Sequence, residues 1–211
     1  MEALAFYLRL VHSLRGDLLV CAALLFFGGL LCSPLVVEKQ IRPLLVYPRW
    51  LWRRIQGWVH PGTPFLKMVA LIFLLNAASL LVNIVSGMSG VLPFLFGFLI
   101  GLNVGVIVVE ETGTWSLLGL VLNPVALLEF PATWISLSEG MELGLSVLGR
   151  FSFSGSLAVL DKGLTVYLAL ILPLLLVAAF TEVALIKWGA RVGGKGRGTG
   201  PSGGTGVLRG P

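Results

Sequence analysis

Six polar residues stand inside otherwise apolar stretches and are the ones whose types and spacing bear chemistry: Asn76, Asn103, Glu129, Glu139, Glu142 and Glu182. An ionised side chain at the centre of a bilayer costs roughly 2.5–3.5 kcal/mol on insertion scales. Such residues persist where they face a bundle interior, pair with one another or carry a proton. Glu129 follows Asn123-Pro124 by about one and a half turns, at a helix start surrounded by apolar residues. Two readings compete for it. As a functional group it would bind a cation or proton, or polarise a substrate. As a structural group it would be hydrogen-bonded and pin a broken helix to its neighbours, with Asn76, Asn103 and Glu182 as the expected partners. The structural reading leads, because Asn side chains on neighbouring spans are the residues that hydrogen-bond across membrane helices.

Glu139 and Glu142 lie three residues apart, and Glu139 lies ten beyond Glu129. Both intervals keep the side chains near one helix face. The stripe they form would line a watery groove, or its far end would simply sit in the interface. Enzyme signatures are missing. The two histidines, His12 and His60, lie outside the apolar blocks and lack metal-ligand spacing. No nucleophile elbow, phosphate-binding loop or metalloprotease helix occurs. The reading is therefore no catalytic residue, no metal and no cofactor.

The elements that must position these groups are membrane helices. The 211 residues are 56% hydrophobic and 12% charged, with a mean hydropathy of +0.95. Soluble domains carry about 25% charged residues. The apolar residues cluster in blocks of roughly 20, enough to cross a bilayer as helix, and strand-like alternation is absent. The fold class expected is all-α: a polytopic helix bundle with about five spans, near 18–37, 65–85, 91–109, 124–147 and 164–186. A shorter apolar stretch at 114–122 reads as a half-helix or re-entrant piece. Arg150, Asp161 and Lys162 are expected in a loop before the last span. Spans one and five read mainly as lipid-facing walls, and spans two to four as the working unit. Cys21 and Cys32, eleven apart in the first block, are too far apart on one helix to bond.

Glycines spaced by four (Gly97, Gly101, Gly105 on span three; Gly140, Gly144 on span four) would let helix backbones approach closely. Residues 38–63 have another character, with Arg49, Trp50, Trp52, Arg53, Arg54 and Trp58 interleaved. This reads as an interfacial anchor, with rings at headgroup depth and guanidinium groups reaching water or anionic lipid. A lipid or partner docking segment is the alternative. The net charge of +5 sits beside apolar blocks and so points to membrane orientation, not nucleic acid. It places the first loop and the C-terminus in the cytoplasm. Residues 190–211 are rich in Gly and basic residues and read as a disordered tail.

The segment from Asn76 to Gly144, with the end of the last span, resembles the stage II sporulation protein M family. The resemblance rests on Leu74-Leu75-Asn76-Ala77-Ala78 closed by Gly87, and on Gly101-Leu102-Asn103-Val104-Gly105. It also rests on Pro124-Val125-Ala126-Leu127-Leu128-Glu129 with Phe130-Pro131-Ala132, on Gly140 and Gly144, and on Ala178-Ala179-Phe180-Thr181-Glu182. The family pattern has His and Gly where this chain has Val125 and Ala126. If that His did chemistry in relatives, this chain lacks it. The resemblance implies a membrane protein that, in spore formers, is a scaffold for two peptidoglycan-degrading partners, and that also occurs where no spores form. The expected function is a non-enzymatic scaffold or interaction partner in the lipid bilayer, self-associating or binding other membrane proteins. The alternative is a small transporter or channel with Glu129, Asn76, Asn103 and Glu182 along its pathway. An intramembrane enzyme is a distant third.

Overall fold

The computed structural model describes residues 2–58, 62–150 and 153–195. Helices and turns account for the ordered elements among them: α1 Glu2–His12, α2 Gly16–Glu38, α3 Arg42–Trp58, α4 Phe65–Val85, α5 Leu92–Thr112, α6 Ser116–Val121, α7 Ala126–Arg150, α8 Phe153–Val166 and α9 Leu172–Lys195. A 3-10 turn at Ser86–Ser89 joins α4 to α5, and a π-helical turn at Tyr167–Ile171 joins α8 to α9 without breaking the rod. His60 and residues 196–211, most of the expected tail, lie outside the described residues.

Four helical segments are long and apolar enough to cross a membrane: Gly16–Glu38, Phe65–Ser89, Leu92–Thr112 and Gly155–Gly189. The fifth long helix, α7, fails that test because of Glu129, Glu139 and Glu142. Its position explains its composition. α7 packs against α2, α4, α5, α8 and α9, so protein and not lipid is its solvent. Leu137, Met141 and Leu143 on it are fully buried.

The pairing geometry fixes the directions. Phe26 lies on Gly101 and Ser33 on Gly105, so α2 and α5 run parallel. Leu18 packs with Met141 and Phe26 with Phe130, so α2 and α7 run antiparallel. Lys187 on α9 donates to the Thr63 carbonyl ahead of α4 at 2.6 Å. The segment before α4 and the end of α9 therefore share one side of the bundle, which also carries α3.

Three expectations are revised. Residues 153–166 are helix, not loop, so Asp161 and Lys162 sit on α8. The last span is the end of a longer rod, and Lys162 is tolerated there because two carboxylates face it. The first span is also more than a lipid-facing wall: among the described residues α2 and α5 make the most extensive helix pair, with Phe26 1% exposed. α9 continues to Lys195, past the expected boundary at 190.

Candidate functional site: a polar seam along the central helix

α7 begins part-way along the bundle, its Ala126 and Phe130 packed with Phe26 in the middle of α2. The Asn123 side chain accepts the Val125 N–H at 2.9 Å, and the Asn123 carbonyl accepts the Leu127 N–H at 3.0 Å. Asn as a cap followed by Pro is a pre-organised helix start, since Pro has no N–H to leave unsatisfied. This start is where Pro124 acts; its own ring is exposed. α6, six residues and about 9 Å long, leads into it and cannot cross. Its Trp115, Leu118 and Leu122 flank are open (86%, 68% and 79% exposed). The expected half-helix is thus a short segment, open on its Trp115, Leu118 and Leu122 side and seated by Leu120 against Phe26, Ala126 and Phe130, that delivers the chain part-way into the bundle.

Glu129 lies in the first turn of α7. Asn76, near the middle of α4, donates its amide to Glu129 Oε1 at 2.7 Å. Both residues line a small cavity of about 130 Å³ walled by Phe26, Leu80, Ile100, Phe130 and Leu175. Phe26, Phe27, Phe130 and Trp134 stack around the same level, with ring centroids 4.8–6.3 Å apart. The Glu182 carboxylate on α9 is within electrostatic reach of Glu129, but no hydrogen bond joins the pair among the described contacts. Asn103 is not brought to Glu129. It faces a separate crevice between α4 and α5, and Val104 takes the position beside Glu129.

The seam continues along the same face of α7. Thr133 donates to the Glu129 carbonyl at 2.8 Å. Asn83 on α4 donates to Ser136 Oγ at 3.1 Å, and Ser136 donates on to the Thr133 carbonyl. Then come Glu139, 1% exposed, and Glu142. Lys162 on α8 answers both, at 3.5 Å from Glu139 and 2.7 Å from Glu142. Tyr167, at the π turn, donates to the Ala77 carbonyl of α4 at 2.8 Å. Sequence reading missed Ser136, Tyr167 and Lys162 as members of this network. Ser136 carried a usable signal, lying seven residues after Glu129 and three before Glu139.

The glycines form a second kind of junction. A Cβ at Gly101 would fall on the Phe26 carbonyl, and one at Gly105 on Ser33 Oγ. Gly97 rests on Leu25. On α7, Gly140 meets the Asn83 backbone and Gly144 that of Gly90, the residue that ends the α4–α5 turn at φ 85°.

α3 is held to the end of α5 by side-chain hydrogen bonds. Arg49 donates to Glu110 Oε1 at 2.9 and 2.6 Å, and Trp52 to Glu111 Oε1 at 2.6 Å. The Glu110 carboxylate, hydrogen-bonded to Arg49, holds that guanidinium above its ordinary range. Arg53 donates to the Arg49 carbonyl at 3.2 Å. Arg54 lies over the Trp50 ring, 5.6 Å from its centroid, and Trp58 is exposed.

The stage II sporulation protein M family model matches residues 18–185, the whole bundle from α2 into α9. The chain belongs to the stage II sporulation protein M family. It is accordingly a multi-pass membrane protein. No curated protein and no solved structure matches it. Within this family member, the matched range takes in the α2–α5 glycine junction and the α7 seam but leaves α1 outside.

Proposed function

We propose that this protein is a non-enzymatic membrane scaffold that associates with itself or with other membrane proteins, its first loop and C-terminus in the cytoplasm. One observation carries this reading. The intramembrane carboxylate Glu129 is bound inward, to Asn76, in a cavity of about 130 Å³ with mostly apolar walls. Its chemistry is used to hold α4 to α7. Apolar surface left open on α1 (Leu4, Leu8, Val11) and around α6 (Trp115, Leu118, Leu122) supplies contact area for partners. Fluorescence transfer between donor- and acceptor-labelled chains in vesicles tests association. Transfer above the random-proximity level, lowered by Trp115→Ser with Leu118→Ser, is expected; transfer at the random level contradicts self-association.

A second reading, a small transporter or channel, is favoured by one feature. The Glu129 cavity and the α4–α5 crevice share Ser79 and Ile100 on their walls, so a path from the bilayer toward Glu129 is short. Ion flux into proteoliposomes decides between them. The scaffold reading expects flux equal to protein-free vesicles; flux that Glu129→Gln abolishes would establish the transporter.

A further inference from the structure

α4 and α5 are joined by a four-residue turn yet diverge from it. Between them opens a crevice of about 680 Å³, the largest among the cavities described. Its walls are apolar, with Val82, Phe96, Leu99 and Ile100. Val82 is 56% exposed and Ala78 and Ser79 are exposed, so the crevice is open sideways, toward the bilayer. α3 closes it at one end through Pro43, Leu44 and Tyr47. The polar groups lie toward that end: Asn103 is on the half of α5 that α3 packs against, where Leu45 meets Leu102 and Val106. At the opposite end Asn83 has its amide committed to Ser136. The cleft is thus apolar along its length and polar at its α3 end.

α3 is also strongly basic, with Arg42, Arg49, Arg53 and Arg54 and no acid between Arg42 and Trp58. Arg49 is taken by Glu110. Arg42 adjoins Pro43 on the crevice rim. Arg54 is seven residues beyond Tyr47, hence on the same helix face, and the stack Tyr47–Trp50–Arg54 runs along that face. Among the described residues neither Arg42 nor Arg54 has an ion-pair partner.

We propose that the α4–α5 crevice is a binding site for an anionic phospholipid of the leaflet on the α3 side. One acyl chain lies between α4 and α5, and the phosphate headgroup is held at the rim by Arg42 and Arg54. The occupant follows from the two ends of the site. A cleft open to hydrocarbon takes an acyl chain without desolvation cost, and basic residues at headgroup depth select negative charge. Asn103 and Tyr47 are placed to hydrogen-bond the polar linkage between chain and phosphate. This proposal does not depend on the scaffold reading.

Native mass spectrometry of the purified full chain tests it, with dioleoyl phosphatidylglycerol and dioleoyl phosphatidylcholine as probes of equal chain composition. The expected result is one retained phosphatidylglycerol per chain and at least about ten-fold weaker retention of phosphatidylcholine. Arg42→Gln with Arg54→Gln should bring phosphatidylglycerol down to the phosphatidylcholine level. Ala78→Trp, which fills the crevice from an exposed wall, should abolish retention of both, and Val82→Trp should do the same if the first variant folds poorly. Equal retention of the two lipids in the wild type overturns the headgroup assignment. Undiminished phosphatidylglycerol in a folded Ala78→Trp or Val82→Trp variant overturns the crevice. A dimer that both Trp variants dissociate, with no lipid retained, overturns the lipid in favour of a second copy.

Discussion

The bundle joins its helices in two different ways. Along α2–α5 the junction is made of absent side chains: Gly29 and Gly101 let two backbones touch, and Gly97 and Gly105 seat the Leu25 and Ser33 side chains. Along α4–α7 it is made of hydrogen bonds: Asn76 to Glu129 and Asn83 to Ser136. The first relies on dispersion over many atoms and is intolerant of any added atom. The second relies on a few polar groups that have no water to fall back on. Lipid offers no hydrophobic drive between helices, so both devices substitute for it. They differ in what breaks them, and they place the costly polar residues on α7, the helix that lipid reaches least.

The largest effect is expected at the glycine junction. Gly101→Leu puts side-chain atoms where the Phe26 backbone stands, and should cost about 3 kcal/mol or more, at the upper end of overpacking effects. Gly119→Leu on α6, where nothing lies within 4 Å, should change stability negligibly. Thermal unfolding in mixed micelles reads both, and equal losses would refute the idea that close approach is local to α2–α5.

A smaller effect is expected at the far end of the polar seam. Lys162→Met leaves Glu139 and Glu142 facing each other without a cation, one of them fully buried. Breaking a buried pair costs roughly 3–5 kcal/mol, but the Lys162 side chain is 25% exposed. About 2 kcal/mol is therefore expected in the same unfolding assay. Glu139→Gln added to Lys162→Met should recover most of it; no recovery would mean Lys162 acts through its methylene packing alone.

The smallest effect belongs to α3. The Glu110 carboxylate raises the Arg49 guanidinium. A raised cation contributes stability below its unfolded value and loses it only as pH rises through the folded one, far above neutrality for Arg. Trp fluorescence of the α3 segment should therefore stay constant from neutral pH to about pH 10. A blue or red shift in that window would show that Arg49 is not what docks α3.

Much of this was legible in the sequence because lipid imposes a simple code. Apolar blocks of about 20 residues marked the helices, and Gly97-x-x-x-Gly101-x-x-x-Gly105 and Asn76, Glu129 stood out against them. What was not legible depended on three-dimensional context. Lys162 looked like a loop residue because its compensating carboxylates lie twenty or more positions earlier, on another helix. Asn103 looked equivalent to Asn76, but one lies on the α7 side of its helix and the other in the crevice, a difference set by how far α4 and α5 splay. Gly29 drew no notice as a packing residue because its partner is the Phe98 carbonyl, which no side-chain pattern encodes.

The central claim is that Glu129 clamps α7 to α4 through Asn76. A double-mutant cycle with Asn76→Ala, Glu129→Ala and the combined variant, read by reversible unfolding in bicelles, tests it directly. A coupling energy of about 1 kcal/mol is expected, within the range of interhelical hydrogen bonds in membranes. Strictly additive losses, with no coupling, would contradict the clamp and return Glu129 to the role of an independent intramembrane acid.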